Sequence, residues 1–203
     1  MNPRIRAALA HFQKKDKVLF SIAKKVVIEP IELRKTSEYF RSLCYEIIGQ
    51  QLAKNAARTI FGRFENLFPN GKITPEYALK LSEEAIRNAG ASWSKAGFVK
   101  DLAQKVADGT LDLKSIKRLD DSQAAEKLMQ VKGIGPWTAQ MFLMFTLGRE
   151  DVFSHGDLGL RKAIVKLYSL DKDAAKNEIE EIAKKWSPYR TYACRILWKS
   201  LEL

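Results

Sequence analysis

Apolar residues recur at helical spacing along almost the whole chain. Phe40, Leu43, Cys44, Ile47 and Ile48 follow the i, i+3, i+4, i+7, i+8 pattern of a one-sided helix behind the capping candidates Thr36 and Ser37. Ala57, Ile60, Phe61, Phe64, Leu67 and Phe68 resume that pattern after a short break. Thr74-Pro75-Glu76 and Ser82-Glu83-Glu84 read as helix starts, and Gly90 as a left-handed stop. From Ser94, the stripe Ala96, Val99, Leu102, Ala103 and Val106 predicts a helix that ends at Asp108-Gly109. Ser122 is placed to cap a short helix through Leu128 and Met129, and Pro136 opens one that runs to Gly148. Ser187-Pro188 repeats the cap-plus-proline start ahead of Tyr192, Ala193, Ile196 and Leu197. No convincing alternating strand appears, so the pattern predicts an all-α fold with short connections.

Composition adds a direction to that fold. At 203 residues and 46% hydrophobic content the chain can bury one sizeable core, or two small ones around a cleft. Its 35 Lys+Arg against 24 Asp+Glu leave a net charge of +11, which points to a polyanion, nucleic acid first, without building a site. No run approaches the ~20 apolar residues of a membrane span. Met1 to Lys15 alternates charged residues with Ala and Phe where a secretory leader would need an apolar centre, so the expectation is an intracellular protein with no membrane partner. The two cysteines, Cys44 and Cys194, sit in apolar periodic segments and read as core residues of a reducing compartment. They are too few for a four-cysteine iron–sulfur cluster or zinc site.

Two segments carry candidate chemistry. In Val131-Lys132-Gly133-Ile134-Gly135-Pro136-Trp137-Thr138-Ala139, two glycines around one apolar residue form a tight turn between two helices. Pro136 starts the second helix, so its free amides and dipole aim where a phosphate oxygen could sit. An ordinary turn with glycine at a helix stop is the alternative; Lys132 and the net charge favour phosphate. Downstream, Asp151-Val152-Phe153-Ser154-His155-Gly156-Asp157-Leu158-Gly159-Leu160-Arg161 is a polar loop that enters a helix with apolar positions Leu160, Ile164, Leu167 and Tyr168. Asp157 stands where an N-cap belongs, which is the stronger reading of the residue taken alone; a carboxylate there could instead stabilise a developing cation or orient water. One carboxylate can do both.

Taken in order, these segments resemble the helix-hairpin-helix DNA glycosylase superfamily, most closely its 3-methyladenine DNA glycosylase II (alkylpurine) branch. Two more matches agree: Ile47-Ile48-Gly49-Gln50-Gln51-Leu52-Ala53, and Trp186-Ser187-Pro188-Tyr189-Arg190-Thr191-Tyr192-Ala193. The resemblance implies a two-lobed helical fold, with residues 39–149 as a central lobe and residues 1–38 and 150–203 as a second lobe made from both termini. The active site would lie in the cleft between them, with Asp157 as catalytic carboxylate. Gly133, Gly135, Lys132, Thr138 and Arg161 would contact DNA; Gln51, or its neighbour Leu52, would fill the gap left by an extruded base. Trp137, Trp198, Met141 and Leu158 stand at pocket positions, with core packing as the alternative for Trp198. Aromatic faces there would hold a flipped, positively charged purine. The backbone carbonyl of Val131 is a candidate ligand for a monovalent cation, Na+ or K+; no other cofactor is implied.

Bifunctional members of that superfamily place an imine-forming lysine two residues after the second hairpin glycine, and here that residue is Trp137. The resemblance therefore implies a monofunctional, water-using enzyme of base excision repair. It would release 3-methyladenine or 7-methylguanine from duplex DNA and leave an abasic site. Its expected partner is damaged double-stranded DNA, its expected state a monomer, and its expected location the cytoplasm or nucleoid of a prokaryote, or the nucleus of a eukaryote. Met141 and Leu158 stand where some members put tyrosines, and His155 replaces a common proline, which bears on base preference. The alternatives are a non-catalytic lesion-binding module and a glycosylase for another base, such as hypoxanthine or uracil.

Overall fold

The computed structural model describes residues 1–31 and 33–203, and among these it contains twelve α-helices and no strand. They fall into two compact units, one of Leu33–Leu147 and one of Met1–Glu32 with Gly148–Leu203.

The Leu33–Leu147 unit holds α3 (Tyr39–Gly49), α4 (Lys54–Glu65), α5 (Pro75–Lys80), α6 (Glu83–Asn88), α7 (Trp93–Ala107), α8 (Asp121–Met129) and α9 (Pro136–Phe145). Its core is the stripe read from the sequence: Leu43, Cys44, Ile47 and Ile48 of α3 are wholly buried, and α3 packs against α4, α7 and α9. Edge-on aromatic contacts run from Tyr45 to Phe61 at 5.0 Å and from Phe64 to Phe68 at 5.0 Å. Thr74 and Ser82 cap α5 and α6 as expected, and Gly90 has φ +113°. Two starts move by about half a turn. The cap of α7 is Ser92, whose hydroxyl accepts from the Lys95 N–H, and that of α8 is Asp120, which accepts from Gln123 at 2.8 Å. Ser94 and Ser122 lie inside the helices they were expected to precede.

The other unit holds α1 (Pro3–Lys15), α2 (Lys17–Ala23), α10 (Leu158–Tyr168), α11 (Lys176–Lys184) and α12 (Arg190–Ser200). Buried Asp16 joins its two chain segments. The Asp16 carboxylate caps α2 through the Leu19 N–H at 2.9 Å and accepts from Trp186 Nε1 at 2.8 Å and the Tyr168 hydroxyl at 2.6 Å. Three donors offset the cost of burying that carboxylate. Against expectation, Pro188 stays outside the last helix, which starts at Arg190. Its cap comes from a distant residue: Asp151 accepts from the Arg190 backbone N–H at 3.2 Å and from its Nε at 2.8 Å and Nη2 at 3.0 Å. Cys44 and Cys194 are both buried, and burial raises both thiols far above their ordinary range.

Candidate active site

The turn between α8 and α9 is built around Gly133. Its φ is +81°, and a Cβ added there would lie 2.0 Å from the Phe98 ring, so both conformation and packing exclude a side chain. Gly135 differs: it is the N-cap of α9, and a Cβ on it would meet nothing within 4 Å. The first glycine shapes the turn; the second leaves the approach to the α9 N-terminus clear. Two anchors hold the hairpin from below. The Lys132 N–H donates to Asp101 Oδ2 at 2.8 Å, and Asp101 also pairs with Lys105 at 2.7 Å. Burial pushes the Asp101 carboxyl up, but these partners outweigh it and hold it below the usual carboxylate range. From α3, Gln50 Nε2 donates to the Gly133 carbonyl at 2.7 Å and to Thr138 Oγ1 at 3.0 Å. Lys95 Nζ holds the Gln50 and Ile48 carbonyls at 2.7 and 2.9 Å.

Sequence reasoning missed Asp101 and Gln50. Asp101 had a signal, its i,i+4 spacing to Lys105; nothing local marks the reach of Gln50 to a hairpin 83 residues away. Thr138 is buried and its hydroxyl accepts from Gln50, a bond that ties the start of α9 to α3. Lys132 keeps its side chain exposed. Gln51, also exposed, has φ +57°, a conformation uncommon for a residue with a Cβ, directly after the end of α3. Half-buried Leu52 follows in the same turn, its N–H on the Gly49 carbonyl. The Val131 carbonyl accepts from the Ile134 N–H at 3.1 Å, which uses one of its two lone pairs and leaves one for a cation.

Between α3, α4 and α9 of this same unit lies a cavity of about 600 Å³. Trp137 and Met141 of α9 line it together, as their shared helix face dictates, with Phe145 a further turn along and Tyr45 and Phe61 opposite. Trp137 is 36% exposed, so this tryptophan presents a face to the cavity instead of filling the core. The wall also carries polar residues that were not foreseen, among them Glu46. Glu46 of α3 has no hydrogen bond or ion pair on its carboxyl among the described residues, and burial pushes it up to about 7.

Asp157 belongs to the other unit, where the structure gives it the N-cap role. Its Oδ1 caps α10 through the Leu160 N–H at 2.8 Å and also accepts from Trp198 Nε1 at 3.0 Å. The carboxylate is thus fixed by a backbone donor and an indole donor while remaining partly exposed. Gly159 makes room for this pair, since a Cβ there would lie 3.1 Å from Asp157 Oδ1 and 3.3 Å from the Trp198 ring. Trp198 is half-buried beside the carboxylate. Leu158 is 71% exposed at the first position of α10. Arg161 Nη2 donates to the Ala174 and Lys172 carbonyls at 2.8 and 3.2 Å, which ties it to the following loop. His155 is exposed and pairs with Glu180 at 3.4 Å.

A glycine-shaped hairpin between two helices, followed in the chain by a carboxylate capping a later helix, defines a helix-hairpin-helix protein. The profile of the HhH-GPD superfamily of base excision DNA repair proteins matches residues 44–188, and the chain belongs to that superfamily. DNA-3-methyladenine glycosylase 1 of Schizosaccharomyces pombe is 34% identical over 176 residues, 86% of this chain and 77% of that protein. Bacillus subtilis YfjP is 37% identical over 162 residues; the match covers 77% of this chain but only 56% of YfjP. Among solved structures, S. pombe Mag1 in complex with abasic DNA superposes with a TM-score of 0.85 at 31% identity, covering 97% of each chain. A Bacillus halodurans DNA-3-methyladenine glycosidase gives 0.79 at 35% identity, covering 98% of this chain and 89% of the other. Among the described residues, no helix is long and apolar enough to cross a membrane, and no group of three His, Cys, Asp or Glu side chains could hold a metal.

Proposed function

We propose that this protein is a monofunctional DNA glycosylase that releases alkylated purines such as 3-methyladenine and 7-methylguanine from duplex DNA. The observation that carries the reading is Asp157, a partly exposed carboxylate held by Leu160 and Trp198 and therefore pre-organised. As the C1′–N9 bond breaks, its electron pair leaves with the cationic base and oxocarbenium character grows on the sugar. Asp157 stabilises that charge and accepts a proton from the water whose oxygen bonds to C1′. The hairpin at Gly133 and Gly135 holds a phosphate on the α9 N-terminus. The aromatic cavity with Trp137 and Met141 takes the flipped base, and the left-handed Gln51 fills the space it vacates. A monovalent cation would use the remaining lone pair of the Val131 carbonyl. The names of the relatives and the abasic DNA bound by Mag1 support this substrate class.

The test is base release from duplexes that carry a single 3-methyladenine or 7-methylguanine, by wild type and Asp157→Asn. Wild type should release base and the variant should not, while both bind abasic-site DNA alike. Borohydride should trap no covalent enzyme–DNA adduct, because Trp137 cannot form an imine. Either no release by wild type or a robust adduct overturns the reading.

A further inference from the structure

Glu46 has no structural employment. Its helix already presents a full apolar face, Leu43, Cys44, Ile47 and Ile48, to the core. A glutamine at position 46 would cover the same surface without the cost of bringing an ionisable group out of water. Other charges line the same cavity, and its two other carboxylates already have partners. Arg41 pairs with Glu65 at 2.8 Å and lies over the Phe61 ring, while Glu38 accepts from the Lys35 N–H at 3.0 Å. Arg34 and Arg58 line the same space but are exposed. The cavity wall from α9, namely Trp137, Met141 and Phe145, carries no charge. A carboxyl without a partner, on a wall shared with Tyr45, Phe61 and Trp137, is an arrangement suited to a proton donor.

We propose that Glu46 is a catalytic acid for neutral purines, protonating a ring nitrogen of a base that carries no charge of its own. The proposal rests on the glycosylase reading above and deepens it. An alkylated purine such as 7-methylguanine is already cationic and leaves as a neutral molecule. A neutral purine such as hypoxanthine would have to leave as an anion unless a proton reaches it first. In the proposed step the Glu46 O–H bond breaks and an N–H bond forms at N7 or N3 of the purine. The C1′–N9 electron pair then withdraws into the base, water adds at C1′, and solvent returns a proton to the Glu46 carboxylate. Since burial lifts this carboxyl to about 7, it is protonated below neutrality and loses that form as pH rises.

The experiment compares wild type and Glu46→Gln in single-turnover release of hypoxanthine and of 7-methylguanine, between pH 6 and 9. In wild type, hypoxanthine release should fall about tenfold per pH unit above about 7. Glu46→Gln should lower hypoxanthine release at pH 6 by about a hundredfold or more, with its fall above pH 7 abolished, and the loss should exceed that of 7-methylguanine release by at least about tenfold. The carboxyl's ordinary value lies below its folded one, so the ionised form burdens the fold as pH rises; Glu46→Gln should therefore melt no lower than wild type at pH 8. A flat hypoxanthine profile in wild type, no hypoxanthine release at all, or an equal loss for both bases in the variant overturns the proposal while leaving alkylpurine release standing. Failure of wild type to release either base instead overturns the reading on which the proposal rests.

Discussion

At the scale of single residues, Asp157 shows how a structural role and a chemical one can be separated. Asparagine caps a helix about as well as aspartate, because its side-chain oxygen still accepts the Leu160 N–H, but it carries no charge. Asp157→Asn should therefore leave the melting temperature almost unchanged while removing base release. The Trp198 indole N–H is the second constraint on the same oxygen. Trp198→Phe keeps an aromatic ring and deletes the donor, which is worth roughly 1.5–3 kcal/mol for a charged acceptor. If the bond persists in the transition state, single-turnover release should slow by about ten- to a hundredfold, with abasic-site binding retained. Asp157 was legible in the sequence because a polar loop enters an apolar-periodic helix there. The partnership with Trp198 was not, since 41 residues separate the pair and Gly159, which makes room for it, reads locally as a mere loop glycine.

At the scale of elements, the hairpin assigns its two glycines different work, and alanine tells them apart. Gly133→Ala must place a Cβ 2.0 Å from Phe98 at a φ of +81°, so unfolding midpoints in urea should report a loss of more than about 2 kcal/mol. Gly135→Ala meets no neighbour and needs no positive φ, so its cost should stay below about 1 kcal/mol. Its methyl group would stand where the phosphate approaches, however, and affinity for abasic-site DNA should fall by about tenfold, read by fluorescence anisotropy. Equal effects of the two substitutions on stability would contradict this division. Most helices were legible because their buried stripes repeat at 3.6 residues and their starts are marked by Thr74, Ser82 and Pro136. The pattern was less informative where caps are not local: α12 starts at Arg190 because Asp151, remote in sequence, accepts its first N–H. Helices α1, α2 and α11 were not legible as separate elements. Their buried faces are short, with only Ile5, Ala8 and Phe12 buried in α1.

At the scale of the whole molecule, the question is how much of the +11 charge remains for DNA. Several cations are engaged within the protein: Lys105 on Asp101, Arg190 on Asp151, Arg41 on Glu65, Lys184 on Glu181, and Lys100 on the carbonyls around the end of α5. Composition alone could not divide them, because a lysine beside a distant carboxylate looks the same in sequence as one facing solvent. Each phosphate neutralised releases condensed counterions, so the logarithm of affinity falls against the logarithm of salt with a slope of about −0.9 per contact. Lys132 follows the hairpin's geometry, with its backbone N–H fixed by Asp101 and its side chain exposed. Lys132→Ala should therefore flatten that slope by about one unit and weaken binding evenly across damaged and undamaged duplexes. Lys184→Ala removes the same formal charge from a side chain paired with Glu181 on an exposed helix face, and its slope should match wild type. If both variants shift the slope alike, DNA senses net charge in general; if only Lys132 does, the phosphate contact is local to the hairpin.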